Sequence, residues 1–380
     1  QVQPMNTKIN LKKIVAISLL IIATSFSLTV FAQKEVIYSS DWGEKLPSFP
    51  NHLILKSNVV FVYENMTMTC DSAIFNTEEN LINAYNNIHI YQDTLHLYGD
   101  EFFYDANIKV AEVFGDTVTL YDGKINLQTD YMVMDRVAQT VRYTTHADIW
   151  DEENTLESNF GTYLIDTKVF EFTDEVILEN NSLNIISDSL FYDSKSKIAY
   201  FFSKTYITTK DSVKINTSKG LYDTKTDDAT LYKDNCIIND SKQLVADSIF
   251  YNTKTENSKA YRNICLTDSL NQIIAYSQYL EKDQKDSISY VFLTKDILLQ
   301  QVEEQDTLHL HCDSIWVYFD TTMRAEEMYA YNHVKFYRMD MQGVADTLFY
   351  DIKDSLVYFI GRPILWNENK EFAVKFPFYL

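Results

Sequence analysis

The side chains best suited to chemistry in this sequence are acidic pairs that recur, such as Asp188 with Asp193 and Asp346 with Asp351. Glycoside hydrolysis needs two carboxylates across one special cleft, about 5–10 Å apart. Here the pair returns wherever a short apolar run meets a polar turn, as in DSLFYDSKS (188–196), ADSIFYNTKT (246–255) and DTLFYDIKD (346–354). Asp and Asn favour such places because their side chains bond to nearby backbone. The pairs are read as turn chemistry, and no catalytic residue is assigned.

Two other groups invite a chemical reading. His309, His311 and Cys312 stand together in HLHCD, but Cys312 has the opposite strand parity to both histidines, and zinc needs three or four converging ligands. No metal and no cofactor is expected. Cys236 and Cys265 each lie four residues after a Tyr, in YKDNC and YRNIC. At one strand spacing apart, about 4.8 Å, they could form a disulfide. Two small buried thiols are the alternative. Cys70 and Cys312 both sit before a repeated acid but far apart in the chain, so they should not meet.

The elements that carry these residues read as strands. The chain holds 27 Tyr and 23 Phe but only 8 Gly and 5 Pro in 380 residues, a composition suited to pleated, half-buried surfaces. No segment keeps a helical period over a useful length. Aligning on the acid gives ten copies, starting at 71, 100, 130, 161, 188, 218, 247, 277, 313 and 346, with Gly161, Ser218 and Ser277 in place of Asp. A period of about 30 residues marks a stacked array, in which each unit contacts its neighbours.

Three residues before the lead position stand Met68, Leu97, Leu127, Ile185, Ile215, Leu244, Ile274 and Leu310. Small side chains such as Cys70, Gly99 and Ala246 stand one before it. Three after it stand Ile74, Phe103, Val133, Leu164, Phe191, Leu221, Phe250, Leu280, Trp316 and Phe349. These positions share one parity, hence one face of a strand. They are assigned to an apolar lining. Apolar residues two and four after the acid, such as Leu190 and Tyr192, leave two choices open: cover on both faces, or a bulge at the acid that switches the parity. A second strand per unit follows a polar turn, as in AYNNIHIY (84–91), AYRNICLT (260–267) and AYNHVKFY (330–337). The fold class is all-β, an elongated repeat stack of about ten units and about twenty strands.

Lys8, Lys12 and Lys13 precede an apolar run from Ile14 to Phe31, and Val30-Phe31-Ala32 reads as a cleavage site. Residues 1–32 are therefore expected to be a signal peptide rather than a retained anchor. The rest carries 30 basic against 54 acidic side chains, a formal net charge of −24, which disfavours nucleic acid as a partner. Residues 33–54 are read as a lead-in, 55–366 as the repeat stack and 367–380 as a tail or truncated repeat.

The pattern apolar-x-apolar-x-small-Asp-x-apolar-x-Tyr-Asp, followed by Ala-x-x-(Gly/Asn)-x-Val-x-apolar, resembles the OstA family, which includes LptA-like proteins. The clearest copies are LVADSIFYNTKTENSKAYRNICL (244–266) and LNIISDSLFYDSKSKIAYFFSKTYITT (183–209). The resemblance covers residues 55–366, with a longer unit and more units than usual, in the manner of the long Bacteroidetes-type form. It implies an open, slightly twisted β-jellyroll in the periplasm whose groove shields the acyl chains of lipopolysaccharide or a related lipid. It also implies partners among the inner- and outer-membrane components of that transport pathway, and end-to-end association through edge strands. No enzyme activity is implied. The alternative is an extracellular β-solenoid that binds polysaccharide or acts as an adhesin. That alternative calls for aromatic rows exposed on the outer face, and the column three residues after the acid decides between the two.

Overall fold

The computed structural model describes residues 36–285, 288–303, 306–367, 370–373 and 378–379. The signal peptide expected at 1–32 lies outside them. The described residues form 32 strands and no helix, and every strand belongs to one antiparallel sheet. Strands begin at Ile37–Ser39 and Trp42–Leu46, within the stretch read as a lead-in. From there the chain runs as a ladder of rungs, each paired to the one before and the one after. Met66–Asn76, for example, pairs with Phe49–Tyr63 on one side and Leu81–Gln92 on the other.

The second acid of each pair makes the turn. Asp193 Oδ1 accepts the backbone N–H groups of Lys195 and Ser196 at 2.9 and 3.3 Å. Asp223 does the same for Lys225 and Thr226, and Asn252 for Lys254 and Thr255. The turn then closes through a residue of positive φ: Lys197, Asp227 or Glu256.

The first acid holds a corner. Alternate rungs carry two successive left-handed residues at their centre: Ser57-Asn58, Asn86-Asn87, Asp174-Glu175, Arg262-Asn263, Lys295-Asp296 and Asn332-His333. The pairing register jumps at each of these points. A left-handed residue with a side chain costs about 1–2 kcal/mol, so each corner needs compensation. Asn87 Nδ2 donates to Asp71 at 2.7 Å, Asn263 Nδ2 to both oxygens of Asp247 at 3.1 and 3.0 Å, and the His333 ring meets Asp313 at 2.9 Å. The backbone joins in, with Asp247 N donating to Arg262 O and Asp346 N to Gly361 O.

At this corner the buried parity changes, which settles the choice left open by the sequence. Met68 and Cys70 are buried before Asp71, then Ala73 and Phe75 after it; Ile185 and Ser187 precede Asp188, then Leu190 and Tyr192 follow. Each rung thus bends so that both halves present apolar residues to the same interior. The expectation that the column three after the acid lines this interior is overturned. Ile74, Phe103, Val133, Phe191, Leu221, Phe250, Trp316 and Phe349 are half-buried or exposed on the outer face, because the bend intervenes between them and the buried residues ahead.

Two copies also shift in register. The corner roles fall to Asn159 and Gln278 rather than Gly161 and Ser277. Asn159 Nδ2 donates to Asp174 at 3.1 Å, and Gln278 Oε1 accepts Asn263 N at 3.2 Å. Ser158 and Ser277 occupy the small buried site, each hydroxyl donating to the carbonyl two residues on, as Ser187 does. Leu164 and Ile274 therefore stand partly exposed, and Leu280 moves to the inner column two after the corner. With leads at 159 and 278 the spacing is 29–31 residues from 71 through 278.

Neighbouring residues on opposite faces test the bend. Ile249 is fully buried while Phe250 is 46% exposed. Ile249→Ala should cost about 2–5 kcal/mol as a core truncation, and Phe250→Ala well under half of that, read from urea unfolding midpoints. The reverse order would place the bend elsewhere.

Candidate functional site: the apolar interior and its seam

The candidate site is the interior itself, a single cluster of buried apolar side chains running from Leu53 to Leu365. Of the residues assigned to the lining, Leu97, Leu127, Ile185, Ile215, Leu244, Leu280 and Leu310 stand on this buried face. Residues missed by the parity rule complete it, among them Phe102, Tyr104, Met132, Met134, Tyr163, Leu190, Tyr222 and Ile249. The signal for them was present in the sequence as the apolar residues two and four after the acid. Side chains fill most of the space. Two cavities along it measure about 40 and about 20 Å³.

The outer column forms a ladder of rings across the later rungs. Phe292 meets Trp316 at 4.3 Å, Tyr329 meets Phe349 at 4.6 Å and Phe349 meets Tyr358 at 5.3 Å. An outward column is the placement set for the polysaccharide-binding alternative. The near-parallel Tyr329, Phe349 and Tyr358 cover one another's flat faces, at 19 and 21°. Ring pairs of this kind on adjacent strands stabilise a sheet by about 0.2–1 kcal/mol each.

Opposite the corners, the two hairpin margins of the bent sheet meet along a seam. The Lys168 ammonium and the Tyr163 hydroxyl both bond to Asp122, 46 and 41 residues earlier. Lys197 pairs with Asp151, and Arg136 Nη2 with Glu64 at 3.2 Å. Burial alone would raise the Asp122 carboxyl, but hydrogen bonds from Lys168, Tyr163 and Thr94 outweigh it and hold the group below its ordinary range. Asp151 is likewise held low, its burial overcome by Lys197 and the N–H groups of Glu153 and Asn154. Burial, reinforced by Asp122, pushes the Tyr163 hydroxyl far up.

The remaining chemical candidates disperse. The paired acids cap turns and corners. His309 bonds to Gln300 and His311 to the Ile297 carbonyl, while Cys312 points inward, its thiol pushed up to about 12 by burial and by Asp313. All four cysteines are free. Cys236 and Cys265 both pair with Val245, one on either side, so they stand two strands apart and beyond disulfide reach. Among the described residues, His146, Asp148 and Glu157 have ligand atoms within 4.8 Å of one another on the exposed outer face. Asp148 and Glu157 are cross-strand partners there, and no chemistry is assigned to the group.

The seam carboxylates define a pH response. A carboxyl whose pKa is depressed by folding stabilises the protein above its unfolded value and loses that contribution as pH falls through the folded value. Thermal stability should therefore be level from neutral pH down to about 5 and decline below about 4. Asp122→Asn with Asp151→Asn should lower stability at neutral pH and flatten the acid decline, measured by circular dichroism melting. An unchanged acid slope in the double variant contradicts the assignment.

Comparison with known proteins adds the following. The family pattern described as OstA-like protein matches residues 40–188. Among solved structures, the chain is similar to LptH, the LptA-homologous periplasmic component of the lipopolysaccharide transport device of Pseudomonas aeruginosa. That similarity stands at 11% identity over 35% of this chain and 93% of that one, with a TM-score of 0.27. No curated protein matches the sequence. Over residues 40–188, the chain carries the sequence pattern of the OstA-like family.

Proposed function

We propose that this protein is a periplasmic bridge-type component of lipopolysaccharide transport, and that its interior shields acyl chains in passage. The observation that carries the reading is the unbroken apolar interior from Leu53 to Leu365, in a chain with an OstA-like sequence pattern. Each methylene moved from water into such an interior contributes about 0.8 kcal/mol. No catalytic centre is needed, because the repeated carboxylates are used in turns and corners.

Packing of the interior imposes a condition. An acyl chain enters only if the seam parts and inner side chains give way. The seam is held at a few points by side-chain ion pairs whose Asp122, Asp151 and Arg136 members are largely buried, so parting it means exposing those charges to water together. On this reading the corners are the fixed hinge and the seam is the mouth. Lipopolysaccharide is carried with its anionic headgroup in solvent, away from an acidic surface. Inner- and outer-membrane components of the pathway, and further copies of this chain meeting edge to edge, are the proposed partners.

The polysaccharide-binding alternative keeps one supporting observation, the outward ring ladder. Sugars stack on open ring faces, however, and the stacked members of this ladder cover each other.

Photoreactive residues at Met132 and Ile249 should give lipopolysaccharide adducts in cells, and the outward positions Val133 and Phe250 should not. Joining Asp122→Cys to Lys168→Cys with a bis-maleimide should abolish the inner adducts. Adducts only at the outward positions would favour the alternative, and inner adducts undiminished by the link would refute the seam as the mouth.

A further inference from the structure

The larger cavity lies at the earlier end of the interior, and its walls are almost wholly apolar. Met66, Met68 and Met134 line it together with Phe61, Ile82 and Phe102. Three residues with polar groups also line it, Arg136, Tyr63 and Tyr104. Arg136 is 11% exposed and Tyr104 6%. Arg136 Nη1 and the Tyr104 hydroxyl are buried beside each other and have no other hydrogen-bond partner among the described residues. Burial raises the Tyr104 hydroxyl pKa, and the Arg136 charge pulls the other way. A buried donor left unsatisfied costs about 1–3 kcal/mol, more when it is charged.

This arrangement does not look like ordinary packing. Arg136 already has a partner in Glu64 through Nη2 and lies over the Tyr63 ring at 5.1 Å. Its second amino group lies at the cavity beside the Tyr104 hydroxyl. In a chain of net charge −21, a guanidinium held at the rim of a greasy cavity is a local site for an anion. Methionine walls are the most adaptable kind, since the thioether side chain is unbranched and polarizable. A cavity of about 40 Å³ is therefore a starting volume that these side chains can enlarge.

We propose that this cavity binds the end of one alkyl chain carrying an anionic headgroup, a carboxylate or a phosphate. The chain lies against Met66, Met68 and Met134, and the headgroup accepts hydrogen bonds from Arg136 Nη1 and the Tyr104 hydroxyl. The inference rests on the acyl-shielding reading above and departs from it at one end, where the headgroup leaves solvent for a fixed site. Glu64 sets the affinity from behind, because it shares the same guanidinium with the incoming anion.

The test is calorimetric titration of the full chain with four probes: oleate, oleyl phosphate, methyl oleate and inorganic phosphate. Oleate and oleyl phosphate should bind, methyl oleate at least about tenfold more weakly, and inorganic phosphate alone not measurably. Arg136→Gln should bring oleate down to the level of the ester, and Arg136→Lys should recover most of the loss. Glu64→Gln should tighten oleate several-fold and leave the ester unchanged. Met134→Trp, which fills the space without touching the charge, should weaken every alkyl probe. Melting curves establish that each variant is folded. Equal binding of oleate and its ester, unmoved by Arg136→Gln, overturns the headgroup site and leaves the shielding reading intact. Failure of every alkyl probe on the wild-type chain overturns both. Inorganic phosphate binding as tightly as oleyl phosphate shows an anion site without an alkyl site, and overturns the proposal.

Discussion

The structure depends on one local constraint, a pair of left-handed residues held against the acid of the neighbouring rung. Without it, a strand of 11–15 residues such as Phe49–Tyr63 or Met66–Asn76 would keep a single parity and bury one flat face. With it, the rung bends at its centre and the parity reverses. The two halves then turn their apolar residues toward one another, and repetition extends the result down the ladder. The side chain at the lead position varies, from Asp71 to Asn159 to Gln278, but the task does not: each offers a polar group to the corner opposite.

Much of this was legible in the sequence. The period, the all-β class and the inner columns before the acid, such as Leu97, Ile185 and Leu310, follow from spacing alone. The outer column was misplaced because the bend arises on the adjacent rung. There Asn86-Asn87, Arg262-Asn263 and Asn332-His333 share a backbone conformation but not a residue type. The shifts at 159 and 278 were hidden for a related reason, since an amide can serve the corner as well as a carboxylate. Cys236 and Cys265 looked adjacent because they are one unit apart, yet a unit is two strands wide. The seam was illegible. Lys168 meets Asp122 across 46 residues, and Arg136 meets Glu64 across 72, distances set by how the margins cross and not by any local pattern.

The balance of forces divides the molecule into a firm side and a yielding one. Corners combine side-chain and backbone hydrogen bonds with a buried parity switch, and they recur along the ladder. The seam relies on a few side-chain ion pairs between segments 46 to 72 residues apart, with the Asp122 and Asp151 carboxylates buried. Outside, the ring ladder stiffens the later rungs. On the proposed reading the molecule opens along this seam, and an acyl chain enters the apolar interior there.

Native mass spectrometry of the protein isolated from the envelope of the cells that make it bears most directly on that claim. The account predicts a population carrying an acylated lipid, and its absence when the seam is crosslinked shut before lipid can enter. A bare polypeptide mass under conditions that preserve non-covalent lipid complexes, with the seam left free, would contradict it.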